Sequence, residues 1–230
     1  MSWAFVSLTD NARTGTTPNP LTVSVTYSGG ERVWIWTRWA TDTADPSISD
    51  GTNTYTRLGS TLVDAFTSGR YALFECKNAT AGSFTISESS ASGNFMTACV
   101  AIYSGLDTSV SGIISSNAQQ GPGTGTDALT STTLTPGSQP GVLVGFSYDD
   151  SNASAISAGT GFTSRGTMAT QDAAFGTASR IEDKNITSTA AVAATFTAAG
   201  GGDNFVAFAV FAPESSGGGG GATIIGQACL

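Results

Sequence analysis

Val33-Trp-Ile-Trp-Thr-Arg-Trp39 lines up with Val142-Leu-Val-Gly-Phe-Ser-Tyr148, roughly 110 residues further along the chain. Both stretches are rich in aromatic and β-branched residues and read as strands. The register holds, with small slips, through three more segments. Ile48-Ser-Asp-Gly-Thr-Asn-Thr-Tyr55 matches Ile156-Ser-Ala-Gly-Thr-Gly-Phe162, Glu75-Cys-Lys-Asn78 matches Glu182-Asp-Lys-Asn185, and Gly93 to Tyr103 matches Asp203 to Phe211. What repeats is apolar alternation and turn residues, the mark of a duplicated scaffold. In this alignment Val33, Ile35, Thr37 and Trp39 share a face with the counterparts Val142, Val144, Phe146 and Tyr148, which predicts one common core.

Strand signals recur at short spacing along the whole chain, among them Leu21 to Tyr27, Arg70 to Cys76 and Ala173 to Asp183, separated by Gly, Asn, Asp and Ser clusters, and no segment carries convincing helical periodicity. The fold class is therefore all-β. Each half offers about six short strands, and a half standing alone would have bare sheet edges and one thin core. The expectation is a single β-sandwich, jelly-roll-like, over residues 1–213, with halves of about 21–110 and 128–213 interleaved and joined by a loop at 117–127. Two separate domains are the alternative. After Pro213 the composition changes: residues 214–221 form a Gly-rich linker, and 222–230 an apolar peptide. Glycine loses more entropy on ordering than any other residue, so such a tail needs a docking partner or the body of the protein to hold it. Ala222, Thr223, Ile224, Ile225 and Leu230 are expected to anchor it in a neighbouring subunit by strand addition, the alternative being a tail folded back on its own sheet.

Composition narrows the chemistry. The 230 residues carry a net charge of -8 with only nine basic side chains, so no cationic surface neutralises phosphates or anionic lipid, and neither nucleic acid nor membrane is an expected partner. The absence of histidine removes Ser-His and Cys-His nucleophile pairs, the imidazole base and nearly every zinc, copper or iron site; no cofactor is expected. Met1 to Asp10 lacks a basic n-region, a long apolar h-region and a cleavage site, and reads as a first strand rather than a signal peptide. Cys76 and Cys99 lie in expected strands, but their repeat counterparts are Asp183 and Ala209, so the fold does not require a disulfide between them, and buried thiols are the plainer reading.

Three groups of side chains are candidates for a site. Trp34, Trp36 and Arg38 share the second face of their strand, where the other half carries Leu143, Gly145 and Ser147. A row of indoles stacks on sugar rings, fills a subunit interface, or is covered by a neighbouring segment. Asp42, Asp45, Asp50, Asp149 and Asp150 lie on loops that would have to converge to hold calcium, though their spacing matches no calcium loop. Glu75 and Glu182 are the one carboxylate pair that suits glycoside hydrolysis. Their equivalence in the repeat argues for a strand end or turn instead, so no catalytic residue is assigned and the chain reads as a non-enzyme.

Ile48 to Gly59, Lys77-Asn-Ala-Thr-Ala-Gly-Ser-Phe-Thr-Ile86 and Ala101-Ile-Tyr-Ser-Gly-Leu-Asp107 resemble a loose group of non-enzymatic β-sandwich domains from tailed-phage virion proteins and bacterial surface proteins. The likeness spans about Leu21 to Pro213, and Ile102 stands where the group commonly has glutamate. The resemblance implies a structural virion protein, a capsid decoration or a fibre or tail-associated subunit, assembled in the host cytoplasm. Its partners would be other virion proteins reached through the tail, and copies of itself. The alternative is a carbohydrate-binding adhesin using Trp34 and Trp36 on cell-surface glycans, and a glycosidase stands third.

Overall fold

A computed structural model describes residues 2–15, 19–40, 42–63, 69–90, 94–120, 126–137, 140–149, 155–175, 177–200 and 204–216. The first half contains β1 (Ala4–Arg13), β2 (Leu21–Tyr27), β3 (Arg32–Ala40), β4 (Ser47–Ser49), β5 (Thr56–Val63), β6 (Arg70–Cys76), β7 (Gly82–Ser89) and β8 (Asn94–Ser104). The second contains β9 (Ile113–Gln120), β10 (Thr126–Thr130), β11 (Gly141–Asp149), β12 (Ala155–Ala158), β13 (Thr163–Gly166), β14 (Ala178–Ile186), β15 (Thr195–Ala199) and β16 (Asn204–Pro213), with helix α1 (Ala169–Phe175) between β13 and β14.

The sheets are antiparallel and the protein is an all-β sandwich. A five-stranded sheet ordered β1-β8-β3-β6-β5 faces a three-stranded sheet β2-β7-β4, and β9-β16-β11-β14-β13 faces β10-β15-β12. Advancing every label by eight turns the first pair of sheets into the second. Order 1-8-3-6 against 2-7-4 is jelly-roll winding, with the fifth strand returning on the sixth as a hairpin. The strands are thus not interleaved between halves, as the bare edges led us to expect. Each half closes its own two sheets, and the five-stranded sheets then pack against each other.

Burial follows this layering. Outer strand β2, Leu-Thr-Val-Ser-Val-Thr-Tyr, alternates strictly, with Leu21, Val23, Val25 and Tyr27 buried and the hydroxyl residues exposed. Inner strands β3, β8, β11 and β16 are buried on both faces. One face of each feeds the core of its own half, around Val33, Ile35 and Ile86 in the first and Leu143, Phe196 and Phe211 in the second. The other face feeds a third core between the halves, which gathers Trp34, Trp36, Tyr71 and Tyr103 with Val142, Val144, Phe146 and Tyr148.

That third core corrects the alignment of the repeat. Val33 and Ile35 face the first half's own core, whereas Val142 and Val144 face the seam, so the common core predicted from these two sets does not form. The seam counterparts of Trp34 and Trp36 lie one residue from Leu143 and Gly145. A one-residue slip exchanges every face of a strand.

The edges of the inner sheets meet reciprocally. β5 lies along β9, where a methyl on Gly59 would stand 3.1 Å from Ile114. β1 lies along β13, with Arg165 over the Phe5 ring at 5.0 Å and Gly166 beside Leu8. Since β9 occupies the place of β1 and β13 that of β5, the seam has the self-complementary pattern of a two-fold interface within one chain.

Two further expectations change, and a third lies outside the described residues. Residues 117–120 belong to β9 and 126–127 to β10, so both ends of the connection placed at 117–127 are strand, and the link between the halves is 105–112. Helix α1 replaces the beginning of a strand expected from Ala173. The linker and anchor peptide beyond Ser216, including Ala222, Thr223, Ile224, Ile225 and Leu230, lie outside the described residues, as does Cys229.

Candidate functional site: the seam between the sandwiches

β3 brings Trp34, Trp36 and Arg38 to the seam because alternate residues of a strand share a face. Both indoles have 0% exposure and Arg38 has 5%. The Trp34 Nε1 donates to Glu75 Oε1 at 3.1 Å, and its ring meets Tyr103 edge-on at 5.4 Å. Trp36 packs on Tyr71 at 5.6 Å and, across the seam, on Tyr148 at 5.9 Å. A sugar ring cannot reach either face, so of the three readings of Trp34, Trp36 and Arg38 the glycan platform is the one that burial excludes. The interface they fill is internal.

Arg38 ends this row in a cage of four rings. Its guanidinium carbon lies 6.0 Å from the Tyr71 and Phe95 rings of the first half, 5.3 Å from Tyr148 and 5.1 Å from Phe175 of the second. Nη1 donates to the Phe95 carbonyl at 3.0 Å. Rings from both halves therefore share one cation, and α1 is held to the first sandwich through Phe175 and through the Thr170 N–H, which donates to Asp10 at 2.8 Å.

At the opposite end of β3, Arg32 and Glu75 form a buried ion pair at 2.7 Å with side-chain exposures of 0% and 2%. Glu75 also accepts from the Gly112 N–H at 3.1 Å. Arg32 Nη2 donates to the carbonyls of Asp107 and, at 2.6 Å, Val110. Every one of these partners belongs to the first half or to the connection 105–112, so the pair fastens that connection down. A side chain at 112 would strike Val210, 2.6 Å from a built Cβ, which fixes glycine there. A second buried cluster crosses the seam: Tyr103 donates to Asp183 Oδ2 at 3.0 Å, and Arg165 Nε donates to the same oxygen at 2.5 Å.

Glu75 and Glu182 do not form a catalytic pair. Glu75 faces the seam, and its face counterpart is Asp183. Glu182 points into the second sandwich's own core, where its oxygens accept from the Gly159 N–H at 2.8 Å and the Thr195 N–H at 3.3 Å. Burial pushes the Glu182 carboxyl up to about 7, against those two hydrogen bonds. Glu88, fully buried in the first core and taking the Thr37 hydroxyl, is pushed by burial up to about 8. Glu75 and Glu182 thus face different layers, as the two carboxyls of a glycosidase must not.

The acidic candidates for calcium do not converge. Asp42 accepts from the Ala44 N–H at 3.0 Å and the Ser90 hydroxyl at 2.7 Å beyond one end of β3. Asp50 accepts from the N–H groups of Thr52 and Asn53 and the Tyr55 hydroxyl, beside Tyr27 at the other end. Asp45 pairs with Arg57 and Asp149 is fully buried, while Asp150 lies outside the described residues. Among the described residues no group of three or more His, Cys, Asp or Glu side chains is placed to hold a metal, and no helix is long and apolar enough to cross a membrane.

Cys76 and Cys99 are free and buried, with β3 between their strands. Cys76 faces the first half's core and Cys99 the seam, so they cannot be bridged, and burial raises both thiols. Two clefts occupy corresponding corners. One of about 380 Å³ is lined by Thr52, Asn53, Glu75, Lys77, Asn78 and Thr80 among others, and one of about 180 Å³ by Lys184, Asn185, Thr187 and Val192 among others. Their Lys-Asn turns are the best repeated polar element of the sequence. In the first, the Asn53 side-chain oxygen accepts from the Thr80 N–H at 2.8 Å. Comparison with protein-family models, with curated proteins and with solved structures finds no match to this chain.

Proposed function

We propose that the protein is a structural virion protein of a tailed phage, a decoration or tail-associated subunit whose body is rigid and whose residues 222–230 fasten it to a neighbouring virion subunit. One observation carries the reading: the charged side chains of the seam are spent on holding the two sandwiches and their connection in fixed relation. Arg32 and Glu75 hold residues 105–112, Arg165 and Asp183 hold Tyr103, and Arg38 lies among rings from both halves. Glu75, which also lines the cleft beside Thr52 and Lys77, is taken up by Arg32, the Trp34 indole and the Gly112 N–H. The resemblance of three segments to virion domains supports the reading from the side of sequence, and the burial of Trp34 and Trp36 leaves the adhesin alternative without an aromatic platform.

The test is a truncation after Ser216. Ser215 donates its N–H to the Gly105 carbonyl at 2.9 Å, so the cut must fall beyond it. The shortened chain is expected to fold with an unchanged melting temperature and to be missing from purified virions. Normal incorporation would remove the anchor.

A further inference from the structure

The larger of the two clefts opens where the turn 50–55, the start of β5, the end of β6, the Lys-Asn turn and the connection 105–112 meet. It holds about 380 Å³, within the roughly 300–1,000 Å³ of small-molecule sites. Thr52, Thr54 and Thr56 recur at alternate positions, and all three line it. Tyr55 between them turns inward, donating its hydroxyl to Asp50 at 2.7 Å beside Tyr27. The wall is braced. Asp50 accepts from the N–H groups of Thr52 and Asn53 at 2.9 and 2.7 Å, and Asn53 in turn holds the Thr80 N–H at 2.8 Å.

This bracing leaves a set of hydroxyls open. Those of Thr52, Thr54, Thr56, Thr80 and Ser111 line the cleft and make no hydrogen bond to any described residue. Lys77 donates to the Ser109 carbonyl at 3.3 Å and has two further N–H groups to give. Glu75 adds a carboxylate whose Oε2 accepts, among the described residues, only the Gly112 N–H at 3.2 Å. Charge is balanced, because Arg32 pairs with Glu75 and Asp107 lies within electrostatic reach of Lys77. An anion would meet the Glu75 carboxylate, and a cation the Lys77 ammonium. An apolar molecule would find Cys76 as the one lining side chain, among the described residues, without oxygen or nitrogen.

We propose that this cleft binds one neutral sugar unit, a pyranose either free or at the end of a glycan. Sugar hydroxyls both donate and accept, so one ring can give to Glu75 and accept from Lys77 while the threonine and serine hydroxyls take either part. The site goes beyond the anchoring role proposed above, since every residue of the cleft lies between 52 and 111. The corresponding cleft of the second half sets the contrast. It keeps Lys184, Asn185 and Thr187 but holds about 180 Å³, and Ile186, Ala190, Ala191 and Val192 complete its lining. Lys184 there lies over the Phe162 ring at 5.2 Å. The sugar site belongs to the first half.

Saturation-transfer NMR on the full chain tests this with methyl α-glucoside, methyl β-galactoside, methyl α-mannoside and N-acetylglucosamine as probes. At least one should receive saturation from the protein. Thr80→Val with Lys77→Ala should cut that signal by about ten-fold, through lost hydrogen bonds, while Thr187→Val in the second cleft leaves it within about two-fold. Thr80 and Thr187 are exposed and Lys77 is partly so, and an unchanged melting temperature checks that the variants fold. No transfer to any of the four probes, an undiminished signal in the double variant, or displacement of the sugar by inorganic phosphate would overturn the proposal. Oligosaccharides ending in the bound sugar, printed on a surface, identify the source: capture assigns the site to glycan ends, and binding of the small glycoside without capture assigns it to the free sugar. The chain truncated after Ser216 should bind the same probe whether or not it enters virions, so the site and the anchor fail separately.

Discussion

The two sandwiches share one winding and differ in how they fill it. The first sets Trp34, Trp36 and the Arg32–Glu75 pair on the seam; the second answers with Val142, Val144, Phe146 and Asp183. Inside the halves the trade runs the other way. The first keeps Ile35 and Phe74 in its core, where the second has Gly145 and Glu182. Gly145 makes room for Phe196, whose ring would lie 2.9 Å from a Cβ there, and Glu182 is accommodated by two backbone N–H groups. The lesson is that jelly-roll winding tolerates exchange of volume and charge between layers, here with Glu182 held by backbone donors where the first half has an aromatic ring.

The largest expected effect comes from breaking the first half's buried pair. Glu75→Ala leaves Arg32 as an uncompensated buried cation and should cost about 3–5 kcal/mol in urea unfolding, whereas Arg32→Met with Glu75→Leu should recover most of the loss. Recovery would show that the pair matters through mutual compensation. Truncating the aromatic side of the seam comes next. Trp36→Ala should cost about 3–5 kcal/mol and Val144→Ala, across the same seam, about 2 kcal/mol. Equal costs would erase the asymmetry just described.

Acidity sharpens the comparison of the two cores. Glu88 in the first and Glu182 in the second are raised by burial to about 8 and about 7. A raised carboxyl binds its proton more tightly folded than unfolded. Its contribution is complete below the ordinary carboxylate range and is lost as pH rises through the folded value. Melting temperature should therefore fall between about pH 5 and 9, with Glu182→Gln flattening the lower part of the decline and Glu88→Gln the upper part. A profile unchanged in both variants would refute the assignment. The smallest effect belongs to the surface: Arg57→Ala, which removes the partly exposed pair with Asp45, should shift stability by less than about 1 kcal/mol.

Much of the fold was legible in the sequence. Leu21–Tyr27 and Arg70–Cys76 are strands with the bounds read from their alternation and flanking turns, and the core strands at 33 and 142 extend by only one residue at each end. Phase was not legible. Val-Trp-Ile-Trp and Val-Leu-Val are apolar on both faces, so the repeat can be aligned one step off at no cost to the hydrophobic match. The overlooked signal is the contrast itself: a continuous apolar run beside the strict alternation of Leu21–Tyr27 says that the run is covered on both sides, which calls for stacked sandwiches. Helix α1 escaped because seven residues give too few turns for a 3.6-residue period to show. The cage around Arg38 escaped because its rings come from four distant segments.

The reciprocal meeting of β1 with β13 and β5 with β9 carries a last consequence. Two identical subunits joined in this way would have to present the same side chains from both sides, so a tryptophan row would collide with itself and a valine row would leave a void. Covalent connection lifts that constraint. One polypeptide is free to mate a bulky wall with a slender one, and neither half on its own would find a twin it fits.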